Sequence, residues 1–513
     1  MSDKQRKGFF NRFLDVVEKG GNKLPHPATL FLILAVLVVV ISGIAASSGV
    51  QVTYERVSEG KAEQVTVAAV SLMSKEGLRQ IFSEAVSNFT GFAPLGTVLV
   101  AMLGVAVAEG TGLIQACLKK LVLSTPKKLI TFVVVFAGVM SNIASDAGYV
   151  VLVPLGAIVF LGFKRHPLAG LAAAFAGVSG GFSANLLVGT IDPLLSGISQ
   201  EAARIFQPGY VVNPTDNYYF MAVSTIVISI IGTWITEKVV EPRLGTYHGD
   251  HHDDHDLSSF TEEERRGLRM AGLSLILFTA LILALVLPSN GVLRDDQGKI
   301  LGHTPFMMAL VPIIAMGFLI PGVVYGICTG KVKNDKQVAS LMGKGMSSMG
   351  SYIVLAFFAA QFVSYFKWSN LGIILAVKGA NFLKATGMTG IALMIGFILV
   401  AAFINLFIGS ASAKWAIMAP VFVPMFMGLG YTPAFTQLVY RIGDSCTNII
   451  TPLMSYFAVI VAFAQKYRKD IGMGTLISIM LPYSLAFLVG WSLLMIVWFF
   501  LGLPIGPGAL IRL

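Results

Sequence analysis

Charge is scarce in this chain. Asp, Glu, Lys and Arg make up 12% of its 513 residues, about half the roughly 25% of soluble domains. A water-soluble chain of this length needs a far larger charged shell, so that class is excluded. Cysteine is nearly absent. Cys117, Cys328 and Cys446 are isolated, and three scattered thiols make neither a disulfide framework nor a zinc site. Enzyme signatures are missing too: there is no H-E-x-x-H, no P-loop and no G-x-S-x-G. An intramembrane aspartyl protease needs G-x-G-D, and residues 441–444 read R-I-G-D. Without a nucleotide-binding motif, an ion gradient is the simplest energy source, and no cofactor is expected.

What the chain has is apolar length. Hydrophobic residues make up 55% of it and the mean hydropathy is +0.77. Apolar runs longer than about 18 residues recur along its whole length, each long enough to cross the hydrocarbon as a helix. A β-barrel would show alternating segments of about 10 residues instead. The net charge of +10 does not form a nucleic-acid patch. Its basic residues sit in short loops between apolar runs, as the positive-inside rule requires. No signal peptide is expected, because the charged segment before the first apolar run is about 27 residues long and many spans follow.

Residues 1–27 carry Lys4, Arg6, Lys7, Arg12, Lys19 and Lys23. They read as a cytoplasmic segment with an interfacial helix built on Phe9, Phe10, Phe13, Leu14 and Val17. Residues 28–513 read as one membrane domain. Spans are expected over 28–48, 91–116, 168–198, 218–235, 267–287, 304–327, 345–366, 436–465 and 474–501, with the polar segment 49–90 outside. Two stretches fit no ordinary span. Residues 129–163 have a polar tip, MSNIASDAGY, and basic residues at both ends, which places both ends inside. Residues 390–429 have the tip NLFIGSASAKW and both ends outside. Both read as re-entrant hairpins, which survive at membrane depth only when packed in protein or lining a cavity.

The two halves resemble each other. SDAGYVVLVP (145–154) aligns with ASAKWAIMAP (411–420), placing Tyr149 on Trp415 and Pro154 on Pro420. GFSANLL (181–187) aligns with DSCTNII (444–450), placing Asn185 on Asn448; the same offset places Asn142 on Asn405. The order is span, hairpin, broken span in both copies, about 91–198 and about 345–465, entered from opposite sides. An inverted repeat with broken helices at matching positions points to an ion-coupled secondary transporter with its site near the midplane. A channel with re-entrant hairpins is the rival class.

A charge at the centre of a membrane helix costs about 2.5–3.5 kcal/mol on insertion scales. Asp146, Asp192, Arg441 and Asp444 all lie in or near the broken segments, which makes them candidates for an ion and substrate site. Arg441 and Asp444 are also i,i+3 and can neutralise each other as a structural pair. Asn142, Asn185, Asn405 and Asn448 offer amide oxygens to a hard cation such as sodium. Ser145, Ser410, Ser412, Thr447 and Thr451 offer hydroxyls, each of which can instead bond back to its own helix. Trp415 suits either a substrate's aromatic ring or the lipid interface. The run HGDHHDDHD (248–256) suits either a metal or a solvated linker. Glu109, late in its span, is either a helix-end charge or a proton carrier.

The motifs GNKLPHPATLF, NFTGFAPLG, FKRHPLAGLAAAFAGVSGGFSANLL, TIDPLLSGIS, VEPRLG, GSASAKWAIMAPVFVPMF, YRIGDSCTNIITPLMSYF and GLPIGPG follow one another along nearly the whole chain. In these the chain resembles the p-aminobenzoyl-glutamate transporter (AbgT) family, nearest to its antimetabolite-efflux branch. The resemblance implies an all-α polytopic protein of the bacterial inner membrane, with nine spans and two opposed hairpins, assembling as a homodimer. It implies transport of p-aminobenzoyl-glutamate or export of sulfonamides, by symport or antiport with sodium or protons. The family's site region falls on Asp192, Asn405, Ser412, Trp415, Pro433, Arg441 and Asp444. The resemblance departs at Lys164, where the family often has Gly.

Overall fold

The computed structural model describes residue 25 and residues 27–58, 61–144, 148–247, 260–300, 304–451, 454 and 456–513. The expected interfacial helix before residue 25, Ser145 and Asp146 in the first hairpin, and the His-rich run 248–256 lie outside the described residues. The fold is largely helical. Among the described residues, five helices are long and apolar enough to cross a membrane. They include α1 (Pro27–Ser47), α10 (Tyr218–Ile235, continuing to Leu244), α11 (Glu262–Val286), α12 (Leu310–Cys328) and α20 (Met473–Leu501). Two bent pairs add to these: α4 (Ala93–Gly110) with α5 (Leu113–Leu123) at 65°, and α13 (Asp335–Ser348) with α14 (Gly350–Trp368) at 48°. Gly112, at φ 85, makes the first corner in the left-handed region that glycine adopts freely.

The polar segment after α1 is more ordered than its composition suggests. It forms an antiparallel pair, β1 (Gln51–Ser58) and β2 (Lys61–Ala68), then α2 (Lys75–Ser83) and α3 (Ala85–Thr90). Alternation in QVTYERV is the strand signal that a search for apolar runs passes over. Another helix absent from the expected spans, α15 (Leu371–Ala385), buries Ile373, Ile374 and Val377 while its C-terminal half carries Lys378, Asn381 and Lys384.

The two stretches that fit no span are helix-turn-helix units. In the first, α6 (Ile130–Ser141) leads through a 3-10 turn to the tip, and a π turn (Gly148–Leu152) leads into α7 (Val153–Gly162). In the second, α16 (Gly390–Asn405) and α17 (Ala411–Met427) flank a tip at 406–410. Each is followed by an interrupted helix. α8 (Pro167–Phe175) and a π turn end in irregular chain before α9 (Ile191–Phe206). α18 (Pro433–Thr447) ends in a 3-10 turn, Asn448–Ile450, before α19 (Phe457–Gln465). The run RIGDSCTNIITP (441–452) reads as the second break, but the break starts later: R-I-G-D and the residues up to Thr447 are helical, and the chain opens only at Asn448. Both interrupted helices meet the first arm of their own hairpin at a glycine. A Cβ on Gly177 would lie 2.2 Å from the Val135 carbonyl oxygen, and one on Gly443 would lie 2.4 Å from that of Ile398.

The turn after α7 holds Lys164 at φ 57. This left-handed conformation strains any residue with a Cβ and suits Gly. It gives a physical meaning to the Gly that the family resemblance leads one to expect here.

The segment between α9 and α10 buries Asp216, whose Oδ2 accepts from the Asn213 backbone N–H at 2.9 Å. Burial outweighs that bond and pushes the carboxyl up to about 6. The folded state thus favours the protonated form. Its contribution to stability is fully present at low pH and is lost as pH rises from about 4 through about 6. Asp216→Asn is expected to melt higher than the parent at pH 8, by about 1–3 kcal/mol. The two should melt alike at pH 4. Equal differences at both pH values in detergent melting curves would refute the assignment.

Candidate functional site: two crossed ion pairs at the helix breaks

Hairpin two brings a helix N-terminus into the interior. Ser410 caps α17, its hydroxyl accepting from the Ala413 N–H at 3.3 Å, the usual service of a serine at that position. Lys414 follows in the first turn and is fully buried. A cation there opposes the helix macrodipole, so it needs acceptors from elsewhere. Its ammonium lies 2.5 Å from Asp444 Oδ1 and donates to Asn405 Oδ1. Asp444 comes from α18, all of whose residues are buried. Thr432 caps that helix and Pro433 opens it, with the ring's fixed φ placed where no N–H is needed.

Arg441 and Asp444 share a face of α18 but do not pair with each other. Arg441 Nη2 bonds Asp192 Oδ1 at 2.6 Å, reaching from α18 to the first turn of α9. Asp192 Oδ2 accepts from the Gly189 N–H at 2.8 Å. Two ion pairs thus cross at α18: one ties it to hairpin two, the other to the break before α9. The charges balance, two cations against two carboxylates, as buried charge requires. Arg441 Nε and Nη1 and Asp444 Oδ2 have no hydrogen-bond partner among the described residues.

Around these pairs the amides and hydroxyls form a network. Asn405 Nδ2 lies 2.7 Å from the Asp444 carbonyl oxygen, 2.9 Å from Thr447 Oγ1 and 2.8 Å from Asn448 Oδ1. Trp415 is fully buried. Its indole N–H donates to Ser199 Oγ at 2.9 Å, and its ring stacks on Tyr440 at 4.4 Å. The chain of bonds continues from Ser199 to Gln437 at 2.6 Å and from Gln437 to Asn217 at 2.9 Å. This sets aside the lipid-interface alternative for Trp415.

The structure brings Asp192, Asn405, Trp415, Arg441, Asp444 and Asn448 into one region. Ser412 lies on the first turn of α17, its hydroxyl 3.3 Å from that of Ser410, and meets neither ion pair. Pro433 sits buried at the opposite end of α18. Asn142 closes α6, its Nδ2 donating to the Val139 carbonyl at 3.1 Å while its Oδ1 is without a partner among the described residues. Asn185 turns inward on its own loop, accepting from the Leu187 N–H at 3.1 Å. Asp192, Asn185, Ser183 and Tyr218 border a gap of about 10 Å³, room for at most one water. Glu109 lies away in the last turn of α4.

Lys414 is the main residue that sequence reasoning did not assign. The signal was present, since a lysine in an apolar stretch carries the same cost that marked the aspartates. Ser199, Gln437 and Tyr440 had no such signal, because a single polar residue in a helix is ordinary.

The sequence matches the AbgT putative transporter family over residues 12–513. This chain belongs to that family. The p-aminobenzoyl-glutamate transport protein of Escherichia coli (strain K12) is 42% identical over 497 residues, covering 97% of this chain and 96% of that protein. Two solved transporters have the same fold. The Neisseria gonorrhoeae MtrF structure, described as illuminating a class of antimetabolite efflux pumps, superposes with a TM-score of 0.92. It is 52% identical, covering 97% of this chain and 100% of that one. The Alcanivorax borkumensis YdaH transporter, described as having an unusual topology, gives 0.88 at 46% identity, covering 94% and 100%. The AbgT relatives are transport proteins and pumps, and the family member described here is a multi-pass transporter rather than an enzyme.

Proposed function

We propose that this AbgT transporter moves p-aminobenzoyl-glutamate-like solutes, exports sulfonamide antimetabolites, or does both, driven by a sodium or proton gradient. The observation that carries the reading is the pair of crossed ion pairs held where two hairpins meet two interrupted helices. Each pair joins elements from different parts of the chain, so each can be exchanged for substrate or ion contacts when those elements move. The relatives' names supply the substrate class. The proposed topology has nine spans, counting each interrupted helix as one, and two opposed hairpins. The N-terminus is cytoplasmic, the membrane is the bacterial inner membrane, and the unit is a homodimer. An inverted repeat over about 91–198 and about 345–465, within one membrane domain over 28–513, is supported by the matching glycine contacts at Gly177 and Gly443. Asp192, Ser412, Trp415, Pro433 and Arg441 are proposed for substrate. Asp192, Asp444 and the four asparagines are proposed for ion coupling, sodium being the candidate metal.

Purified protein in liposomes tests this. Saturable counterflow of p-aminobenzoyl-glutamate without unitary currents is expected. Single-channel currents without counterflow would make the protein a channel. Flux under a sodium gradient compared with flux under a proton gradient identifies the coupling ion.

A further inference from the structure

The proposed ion site raises a difficulty at Asn405. Its amide oxygen is the atom a sodium ion would need, and it is already in use. We infer that Lys414 is the built-in cation of hairpin two: its ammonium occupies the oxygen site at Asn405 and Asp444 that an inorganic cation would otherwise take, and so sets which ions this half of the transporter responds to. The inference rests on the transport reading only for its consequence, not for the site itself.

The donor set is that of a hard-cation site. It comprises the amide oxygen of Asn405 and the carboxylate of Asp444, whose Oδ1 also accepts from the Tyr440 hydroxyl at 3.2 Å. Sodium and ammonium both seek such oxygens. Lys414 also lies over the Tyr440 ring, 5.7 Å from its centroid. The charged and titratable groups that face it are Asp444 and Tyr440 from α18, and α16 contributes only Asn405. Across α18, Arg441 is engaged with Asp192 of α9.

The other half of the chain provides the contrast. In the alignment that pairs Tyr149 with Trp415, Lys414 falls on Gly148. A Cβ there would come within 2.0 Å of Ser141 Oγ, so the first hairpin has no room for a side chain at that position. Asn142, which aligns with Asn405, keeps its buried Oδ1 without a partner among the described residues, and so does Ser183 Oγ nearby in sequence to Asn185. Among the described residues, one half leaves its amide oxygen open, and the other fills it with its own ammonium. Inorganic cation binding is therefore asymmetric between the halves.

Removing the ammonium should open the site. The test is thermal unfolding of the purified full-length chain in detergent, in sodium chloride, ethylammonium chloride and choline chloride. Lys414→Ala vacates the space beside Asp444, and Lys414→Met refills it with an apolar chain. Lys414→Ala is expected to gain at least about 2 °C in Tm from sodium or ethylammonium over choline, beyond the parent's own response. Lys414→Met is expected to gain nothing beyond the parent. An alanine variant that responds no more than the methionine variant would overturn the inference. If Lys414→Ala does not yield folded protein, Lys414→Ser leaves a similar space and carries the same expectation. Counterflow by the parent is measured separately; its absence would sink the transport reading while the cation response still decides the role of Lys414.

Discussion

Asp444→Asn is expected to reduce p-aminobenzoyl-glutamate counterflow by about 100-fold or more. Among the described residues, the carboxylate is the one negative group bonded to the fully buried Lys414, and stranding one member of a buried pair costs about 3–5 kcal/mol. That cost alone could lower flux by harming the fold, so a second variant is needed. Lys414→Met with Asp444→Asn removes both charges and should restore folded yield and melting temperature towards those of the parent. Flux should not return with it, because no group is left at Asn405 to exchange with an ion. Recovery of flux in the double variant would reduce Asp444 and Lys414 to a structural pair.

Arg441→Ala should separate the two substrate types. p-Aminobenzoyl-glutamate carries two carboxylates on an aromatic amide, whereas sulfonamides keep the aminophenyl ring and lack both. Among the described residues, Arg441 binds Asp192 through Nη2, and its Nε and Nη1 are buried without partners. Together with the second Nη2 hydrogen, either of these donors completes the two-pronged fork that matches a carboxylate. Loss of one charged hydrogen bond costs about 1.5–3 kcal/mol, so affinity for the glutamate conjugate should fall by roughly 10–150-fold. Sulfonamide binding should change far less. Asp192→Asn in the same background relieves the carboxylate that Arg441→Ala leaves without its cation, and the selective loss should persist. Binding titrations of both ligands check this, and equal losses for both would assign Arg441 to structure. Trp415→Ala should weaken both ligands, because the indole positions Tyr440 and Ser199 beside the pairs.

Much of the architecture was legible because membrane segments obey a one-dimensional rule. An apolar run must reach across the hydrocarbon, and α1, α10, α11, α12 and α20 follow it closely. The two helix-turn-helix units were legible by the same rule, as runs of the wrong length with polar tips. The β1–β2 pair and α15 were not, since neither obeys a hydrocarbon-length rule. The second break was placed too early. Arg441 and Asp444 look like the end of a helix in an apolar context, yet their partners Asp192 and Lys414 let the helix continue to Thr447.

By itself the sequence determined that the chain lives in a membrane, that two apolar stretches with polar tips fit no ordinary span, and that charges at their tips and breaks are too costly to be incidental. Those conclusions depend only on local hydropathy and on the cost of a charge in hydrocarbon. The tertiary structure alone decided who pairs with whom. Spacing favoured Arg441 with Asp444, three residues apart on one helix face. The fold instead sends Arg441 to Asp192 and Asp444 to Lys414, because α9 and hairpin two both pack against α18 and each brings a charge of the needed sign. Pairing is a property of which helices touch, and no local pattern in the chain encodes that.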